Sequence, residues 1–329
     1  MNPSLQRKLV LFVQNAQTIK GEFRWQDTAV KQLAALLYAL EGRPVDCDAI
    51  RDAQTQIKDN TGAFSAFRGS VALSIAALLS LSGNRETLFS DTLRVYELLK
   101  KTKLRSSDFL VVAAYQIAAH GKPEEYPRIV ERTRAFYEAM KEKHWFLTGE
   151  DDYIFAAMLG LSGMDVTDGA ARMEQIFSRL KPEFRDKNSV QALSQVLVLG
   201  ENGPNTPERI LVLRDALKAE KIKMDKTYTL PSLGVLALLP VDTETIVREI
   251  GEAQPFLREQ KGFGSFSVDT QTLLLFSAAL VASAHTENLK DSVLTASLAT
   301  SILNIIIAQE AAMIAAVCAS SAAAASAAN

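Results

Sequence analysis

The stretch AALLSLSGN at residues 76–84 decides how this chain is interpreted, because versions of it recur. AALLYALEG occupies 34–42, AAYQIAAHG occupies 113–121 and AAMLGLSGM occupies 156–164. Small side chains allow helices to approach closely, and glycine tolerates the left-handed backbone conformation that often ends a helix. We therefore interpret each stretch as the packed end of a helix, and we expect its glycine to be left-handed.

The ends of these apolar helices are regularly spaced along the chain. They are marked, in order, by Gly42, Gly83, Gly121, Gly163, Gly200, Pro240 and His285. The five glycines lie 41, 38, 42 and 37 residues apart, and the last two marks belong to weaker copies. A period of about 40 residues is typical of helical-repeat families. The spacing therefore predicts seven units.

The second half of each unit repeats as well. VYELLKK at 95–101 and FYEAMKE at 136–142 align at an offset of 41 residues, which matches Tyr96 with Tyr137. This half carries the Lys, Arg and Glu residues, so it predicts an amphipathic helix with one buried face. In the second copy, the positions at helical spacing on that face are Ile129, Thr133, Phe136 and Met140.

Each unit is therefore interpreted as a helical hairpin, with an apolar inner helix and a charged outer helix. We predict an all-α fold in which about seven hairpins form an α–α superhelix or an α/α toroid. No linker rich in Gly, Pro or Ser divides the chain. We predict a single domain over 1–329, with a leading amphipathic helix at 1–20 and a long apolar C-terminal helix at 287–329 that ends in a frayed Ala/Ser tail.

Composition narrows the classes of function. The net charge is −2 and the pI is about 6.0, so no overall positive field attracts nucleic acid. Cys47 and Cys318 are far apart in the sequence and belong to no C-x-x-C motif, which argues against disulfides and zinc clusters. The N-terminal apolar run, LVLFV, is too short for a secretory signal. We expect a cytoplasmic protein without a cofactor or a bound metal.

The C-terminal segment allows three interpretations. Residues 292–329 contain a single charged side chain, Glu310, and about 18 apolar residues suffice to cross a bilayer. Asn304, Gln309 and Glu310 interrupt the run, however, and an acid in lipid is costly. A membrane contact is therefore disfavoured. A final helix buried against neighbouring units is preferred, and a helix buried in a second copy of the chain remains open.

The densest group of polar residues is HWFLTGEDDY at 144–153. Asp151 and Asp152, with His144, have the chemistry of a general acid and base, and they are the candidate catalytic residues. The alternative is structural, because acids in a first helical turn are stabilised by the helix dipole. Thr148, followed three residues later by Asp151, resembles a capping box.

The same group also suits a contact surface, because aromatic residues stand beside acids. A second polar run, KKTKLRSSDF at 100–109, contains four bases that could bind a phosphate or an acidic partner. The candidate binding residues are Glu150, Trp145, Tyr153, Lys103 and Arg105.

Three stretches together resemble a known family: YELLKKTKLRSSDFLVVAAYQIA, HWFLTGEDDYIFAAMLGLSG and AQEAAMIAAVCASSAAAAS. The chain is similar to an uncharacterised family of bacterial proteins of unknown function, mainly from Gram-positive species. The resemblance covers most of the chain from about residue 20 onward. It implies a soluble cytoplasmic bacterial protein, and it supplies no activity, cofactor or catalytic residue.

Two hypotheses about function follow. The first is a non-catalytic helical-repeat scaffold that binds a protein or peptide partner, with self-association through the C-terminal helix as an open alternative. The second is an α/α-toroid hydrolase or transferase with an acidic rim around residues 144–153. The sequence alone leaves open whether the protein is an enzyme.

Overall fold

The computed structural model describes residues 2–200, 206–226, 228–287, 304–308, 310–312 and 316. Within these residues the regular structure is entirely helical, which confirms the all-α prediction. The α-helices are α1 (Pro3–Glu22), α2 (Thr28–Leu40), α3 (Cys47–Asn60), α4 (Ala72–Leu81), α5 (Arg85–Lys101), α6 (Asp108–His120), α7 (Tyr126–Lys143), α8 (Tyr153–Leu161), α9 (Val166–Leu180), α10 (Lys187–Leu199), α11 (Thr206–Ala219), α12 (Thr229–Leu238), α13 (Thr243–Glu259) and α14 (Thr270–Glu287).

Two kinds of helix alternate along the chain. The even-numbered helices are apolar and almost completely buried, as in α8, where every residue from Tyr153 to Gly160 is buried. The odd-numbered helices bury one stripe and expose the rest. In α7 the predicted stripe is buried at all four positions, which are Ile129, Thr133, Phe136 and Met140.

The described contacts divide the chain into two compact units, each built from three segments. Unit 1 comprises Met1–Thr18, Tyr38–Pro44 and Ala171–Gln309, and unit 2 comprises Ile19–Leu37, Val45–Ala170 and Glu310–Asn329. The single domain over 1–329 stays a prediction.

In unit 1, the first helix is fastened to both α2 and α14. The ammonium group of Lys8, whose side chain is 3% exposed, donates to the carbonyl oxygen of Leu40 at 2.9 Å. It also lies 2.6 Å from a carboxylate oxygen of Glu287, at the end of α14. Phe12 packs edge-to-face against Phe276 of α14, with ring centroids 5.3 Å apart. A buried amine is stable only when it is paired, so these contacts fix the position of α1 in unit 1.

In unit 2, α7 and α8 are in very close contact at Gly160. A Cβ atom at this position would lie 2.5 Å from Oγ1 of Thr133 and 2.9 Å from the carbonyl oxygen of Ile129. Neither distance is compatible with a side chain unless the helices separate. The glycine at position 160 therefore serves the close packing of α7 and α8.

An arginine of α7 satisfies the end of α8. The guanidinium group of Arg132 donates to the carbonyl oxygens of Gly160 at 3.0 Å, Ser162 at 2.9 Å and Met164 at 2.5 Å. The last carbonyl groups of a helix have no partner within the helix, and burying them unpaired is costly. Arg132 removes this cost from across the hairpin.

The same contact recurs in unit 1. Arg209 of α11 donates to the carbonyl oxygens of Leu239 and Val241, which follow α12. The sequence offsets are 30 and 32 residues, the same as those from Arg132 to the carbonyls of residues 162 and 164. Lys8 donates to Leu40 at the offset of 32. A cation on one helix thus completes the next helix at three places.

The expectation that the glycines at the helix ends are left-handed is mostly wrong. Among the described residues that mark helix ends, only Gly42 has a positive φ, of 67°. Gly121 has a φ of −94°. A Cβ atom there would lie 2.8 Å from the carbonyl oxygen of Ile117 and 2.9 Å from Cδ1 of Ile129. At Gly121, close packing and not backbone conformation excludes a side chain.

Most of the predicted C-terminal helix at 287–329 lies outside the described residues. Within the residues that are described, no helix has the length and apolar character needed to cross a membrane. Glu310 is described and is buried, and its Oε2 atom has no hydrogen-bond partner among the described residues. Burial raises the pKa of this carboxyl group to about 8.

Replacing Arg132 by Ala should lower the free energy of unfolding by about 2 kcal/mol, because three carbonyl groups lose a charged donor. Urea denaturation measures this change. Arg128→Ala is the matched control, since Arg128 lies on the same helix but is 64% exposed and forms an ion pair with Glu125 at the surface. The control should cost at most about 0.5 kcal/mol. Equal effects of the two substitutions would contradict the proposed capping role.

Glu310→Gln should change how stability depends on pH. The folded-state pKa lies above the ordinary value of 4.5, so folding favours the protonated acid. That contribution is present in full below about pH 4.5, and it is lost as the pH rises through about 8. The melting temperatures of the wild type and the variant should therefore agree at about pH 4, whereas the variant should melt higher above about pH 8. Exposed Glu259 provides the control, and Glu259→Gln should leave the pH profile unchanged.

Candidate functional site

The predicted polar segment at 144–153 lies in unit 2 and connects α7 to α8. His144 follows the last residue of α7, and its N–H donates to the carbonyl of Met140 at 2.9 Å. A short 3-10 helix spans Glu150–Asp152, and α8 begins at Tyr153. The candidate residues therefore occupy a connection and the first turn after it, and they do not share one helix face.

Asp152 has a structural role. Its side chain is 5% exposed, and one carboxylate oxygen accepts a hydrogen bond from the N–H of Gly149 at 2.9 Å. This bond is one half of a capping box, one residue beyond the pair predicted from Thr148 and Asp151, and glycine has no side chain to make the other half. The reason is that the chain starts a 3-10 turn at Glu150, which places Asp152 opposite the N–H of Gly149.

Tyr153 joins this segment to the polar run before α6. Its ring is 3% exposed and packs edge-to-face against Tyr137, with centroids 5.0 Å apart. Its hydroxyl oxygen accepts a hydrogen bond from the backbone N–H of Arg105 at 3.2 Å. Burial, followed by the neighbouring Tyr153 hydroxyl, raises the pKa of Tyr137 to about 12. Two of the predicted binding residues, Tyr153 and Arg105, are thus brought together.

The side chains exposed at this place are aromatic and basic. Trp145 is 72% exposed and Phe146 is 67% exposed, and their rings meet edge-to-face at 5.9 Å. Lys103 and Arg105 are also exposed, and Lys103 has a left-handed backbone with φ of 69°. In contrast, His144, Glu150 and Asp151 are half-buried, and Asp152 is buried.

A third connection lies beside these two. The hydroxyl group of Ser70, just before α4, donates to the carboxylate of Asp108 at the start of α6. Burial raises the pKa of Asp108, and the bond from Ser70 opposes that shift. The connections at 61–71, 102–107 and 144–152 are therefore neighbours in unit 2. We call these three connections the loop rim.

Outside the loop rim, a groove of about 570 Å³ lies between α3 and α5 in unit 2. Its walls carry carboxylates and a guanidinium group, and its floor includes Phe89. The Oε1 atom of Gln56 and the Nε atom of Arg85 are buried without a hydrogen-bond partner in the part of the chain that the structure describes. The lining residues are Asp52, Thr55, Gln56, Asp59, Asn60, Arg85, Glu86, Phe89, Ser90 and Leu93.

This groove was missed by sequence reasoning, although α3 carries a signal of it. Asp52, Gln56 and Asp59 recur at helical spacing and form a polar stripe. Such a stripe normally faces water. Only the packing of α5 beside α3 turns it into one wall of a groove.

No group of three or more His, Cys, Asp or Glu residues within the described ranges is arranged to hold a metal ion. Neither the catalytic assignment to His144, Asp151 and Asp152 nor the assignment of the binding residues is tested by these distances. Both stay predictions.

Comparison with known proteins identifies a family and a relative. A family model described as Protein of unknown function (DUF4003) matches residues 15–311. A protein of Bacillus subtilis (strain 168), the uncharacterized protein YeaA, is 24% identical over 310 residues, which cover 91% of this chain and 90% of that protein. No solved structure matches.

Asp152→Ala should lower the free energy of unfolding by about 1 kcal/mol, since it removes a first-turn cap. Glu142→Ala is the control, because Glu142 is exposed at the end of α7, and it should cost almost nothing. Chemical denaturation of both variants measures the difference. If Asp152→Ala left stability unchanged, the structural role of this carboxylate would be refuted.

Proposed function

The chain belongs to the DUF4003 family of proteins of unknown function, and from that premise we propose that it is a non-catalytic helical-repeat scaffold in the bacterial cytoplasm that binds a protein or peptide partner. The observation that carries the proposal is a contrast at residues 144–153 between a candidate catalytic acid, which has a structural role, and aromatic side chains, which are exposed. The Asp152 carboxylate is bonded to the protein's own backbone, while Trp145 and Phe146 are exposed. Exposed aromatic side chains suit contact with another molecule more than they suit catalysis.

The repeat architecture is supported by contacts that recur at a constant offset. Lys100 lies over the ring of Tyr96 at 5.4 Å, and Lys141 lies over the ring of Tyr137 at 5.7 Å. The two pairs are 41 residues apart, as the sequence period predicts. The arginine contacts at the ends of α8 and α12 recur in the same way. We infer an array of hairpins, and such arrays typically serve as binding surfaces.

The groove between α3 and α5 is where we propose that a peptide binds. A polypeptide backbone offers both an N–H donor and a C=O acceptor. These groups complement the hydroxyl groups of Thr55 and Ser90 and the carboxylate and guanidinium groups that line the groove. Three carboxylates line the groove against one guanidinium group, so a peptide with a basic side chain is favoured; they belong to Asp52, Asp59 and Glu86.

Filling the groove should abolish partner binding. Ser90→Tyr places a large ring in the groove, whereas Thr87→Tyr places the same ring on the exposed face of α5 outside it. The tagged full-length chain and both variants are used for affinity capture from a lysate of the native host. We expect a stoichiometric protein partner with the wild type and with Thr87→Tyr, and its loss with Ser90→Tyr.

Two outcomes would contradict the proposal. If no form of the chain captures a protein, the scaffold proposal is wrong. If Ser90→Tyr and Thr87→Tyr capture a protein equally well, the groove is not its binding site. Melting temperatures of the variants establish that both are folded, so that a loss of capture reports on binding.

A further inference from the structure

The loop rim carries exposed aromatic side chains that lie outside the groove between α3 and α5, so the peptide proposed for that groove does not cover them. Phe64 in the first connection is fully exposed, and Trp145 and Phe146 in the third are 72% and 67% exposed. All three lie on connections between helices, where the chain is free to use polar residues. Their apolar rings therefore call for a partner.

The rings stand out from the surface. Phe64 follows Gly62 and Ala63, both exposed, so no neighbouring large side chain shields it. Trp145 and Phe146 lean on each other, edge to face, and remain mostly exposed. Isolated protruding rings need either matching pockets on a rigid partner or a fluid medium that closes around them. The interfacial region of a bilayer is such a medium, and aromatic side chains are enriched there.

The fully exposed charges on the loop rim complement an anionic surface. The exposed charged side chains of the three connections are Lys103 and Arg105. Glu150 and Asp151 are half-buried, and Asp152 is buried and hydrogen bonded. The hydrogen bond from Arg105 to Tyr153 holds the basic connection next to the aromatic one. Basic residues beside interfacial aromatic residues favour membranes that contain acidic lipid.

We propose that the loop rim binds the surface of a membrane that contains anionic lipid. Phe64, Trp145 and Phe146 enter the headgroup region, while Lys103 and Arg105 contact lipid phosphates. The contact is peripheral and requires no membrane-spanning helix. It goes beyond the scaffold function, because the groove between α3 and α5 is a separate surface from the loop rim.

Tryptophan fluorescence gives a direct test. The chain has two tryptophans, Trp25 and Trp145, so Trp25→Phe leaves a single reporter on the loop rim. We expect the emission of Trp145 to shift to the blue on addition of vesicles made of equal parts phosphatidylglycerol and phosphatidylcholine. Brominated lipid should quench it. Pure phosphatidylcholine vesicles should have a much smaller effect, and high salt should weaken the binding.

Variants in the Trp25→Phe background identify the contact residues. Phe64→Ser together with Phe146→Ser should lower vesicle affinity at least about tenfold, since two of the rings that enter the headgroup region are lost. Lys103→Gln together with Arg105→Gln should lower it about tenfold for vesicles with phosphatidylglycerol.

The matched controls lie in unit 1. Val212→Ser alters a side chain that is 58% exposed on α11. Lys218→Gln together with Lys221→Gln removes two exposed bases, and Lys221 shares the left-handed backbone of Lys103. Neither control should change vesicle affinity.

The inference is overturned if Trp145 shows no blue shift with phosphatidylglycerol vesicles, or if the rim variants bind as well as the controls do. Capture of a protein that is lost with Phe64→Ser and Phe146→Ser, without any vesicle binding, would instead make the loop rim a protein interface. The scaffold proposal can fail separately. In that case vesicle binding persists, but no captured protein is lost with Ser90→Tyr.

Discussion

Burying whole apolar helices creates the constraint on which this structure depends. A helix that is covered on all sides also buries its last carbonyl groups, which have no partner within the helix. An unpaired carbonyl in the interior costs about as much as several apolar contacts gain. Lys8, Arg132 and Arg209 each meet this requirement from the preceding helix, at the ends of α2, α8 and α12. The charged helices therefore supply the donors that make burial of the apolar helices stable.

Before α8 and α10, acidic side chains accept hydrogen bonds from N–H groups that have no partner within a helix. Asp152 accepts from Gly149 before α8, and Asp186 accepts from the N–H groups of Asn188 and Ser189 at the start of α10. A carboxylate at such a place resembles a catalytic acid in the sequence. In the fold it is part of the helix end. In contrast, the side chains of Trp145 and Phe146 in the same connection remain mostly exposed.

The helices were predictable because their signal is local. The stripe from Ile129 to Met140 and the apolar run of α8 define their helices by periodicity alone, and the structure has both. The reason for the glycines was not predictable. Whether Gly121 ends a helix by its backbone angle or by contact with Ile129 depends on where the next helix lies. The capping role of Arg132 was not predictable either, because in the sequence it resembles any other charged residue on an outer helix.

At the candidate site, the sequence alone determined which chemical groups are concentrated at 144–153 and at 100–109. Only the tertiary structure decided that Tyr153 is buried and bonded to Arg105, that the cap falls at Asp152, and that α3 and α5 enclose a groove. The physical reason is the range of the interactions. Helix periodicity and composition are properties of adjacent residues. Burial, hydrogen bonds across tens of residues and the space between two helices arise only when the helices pack.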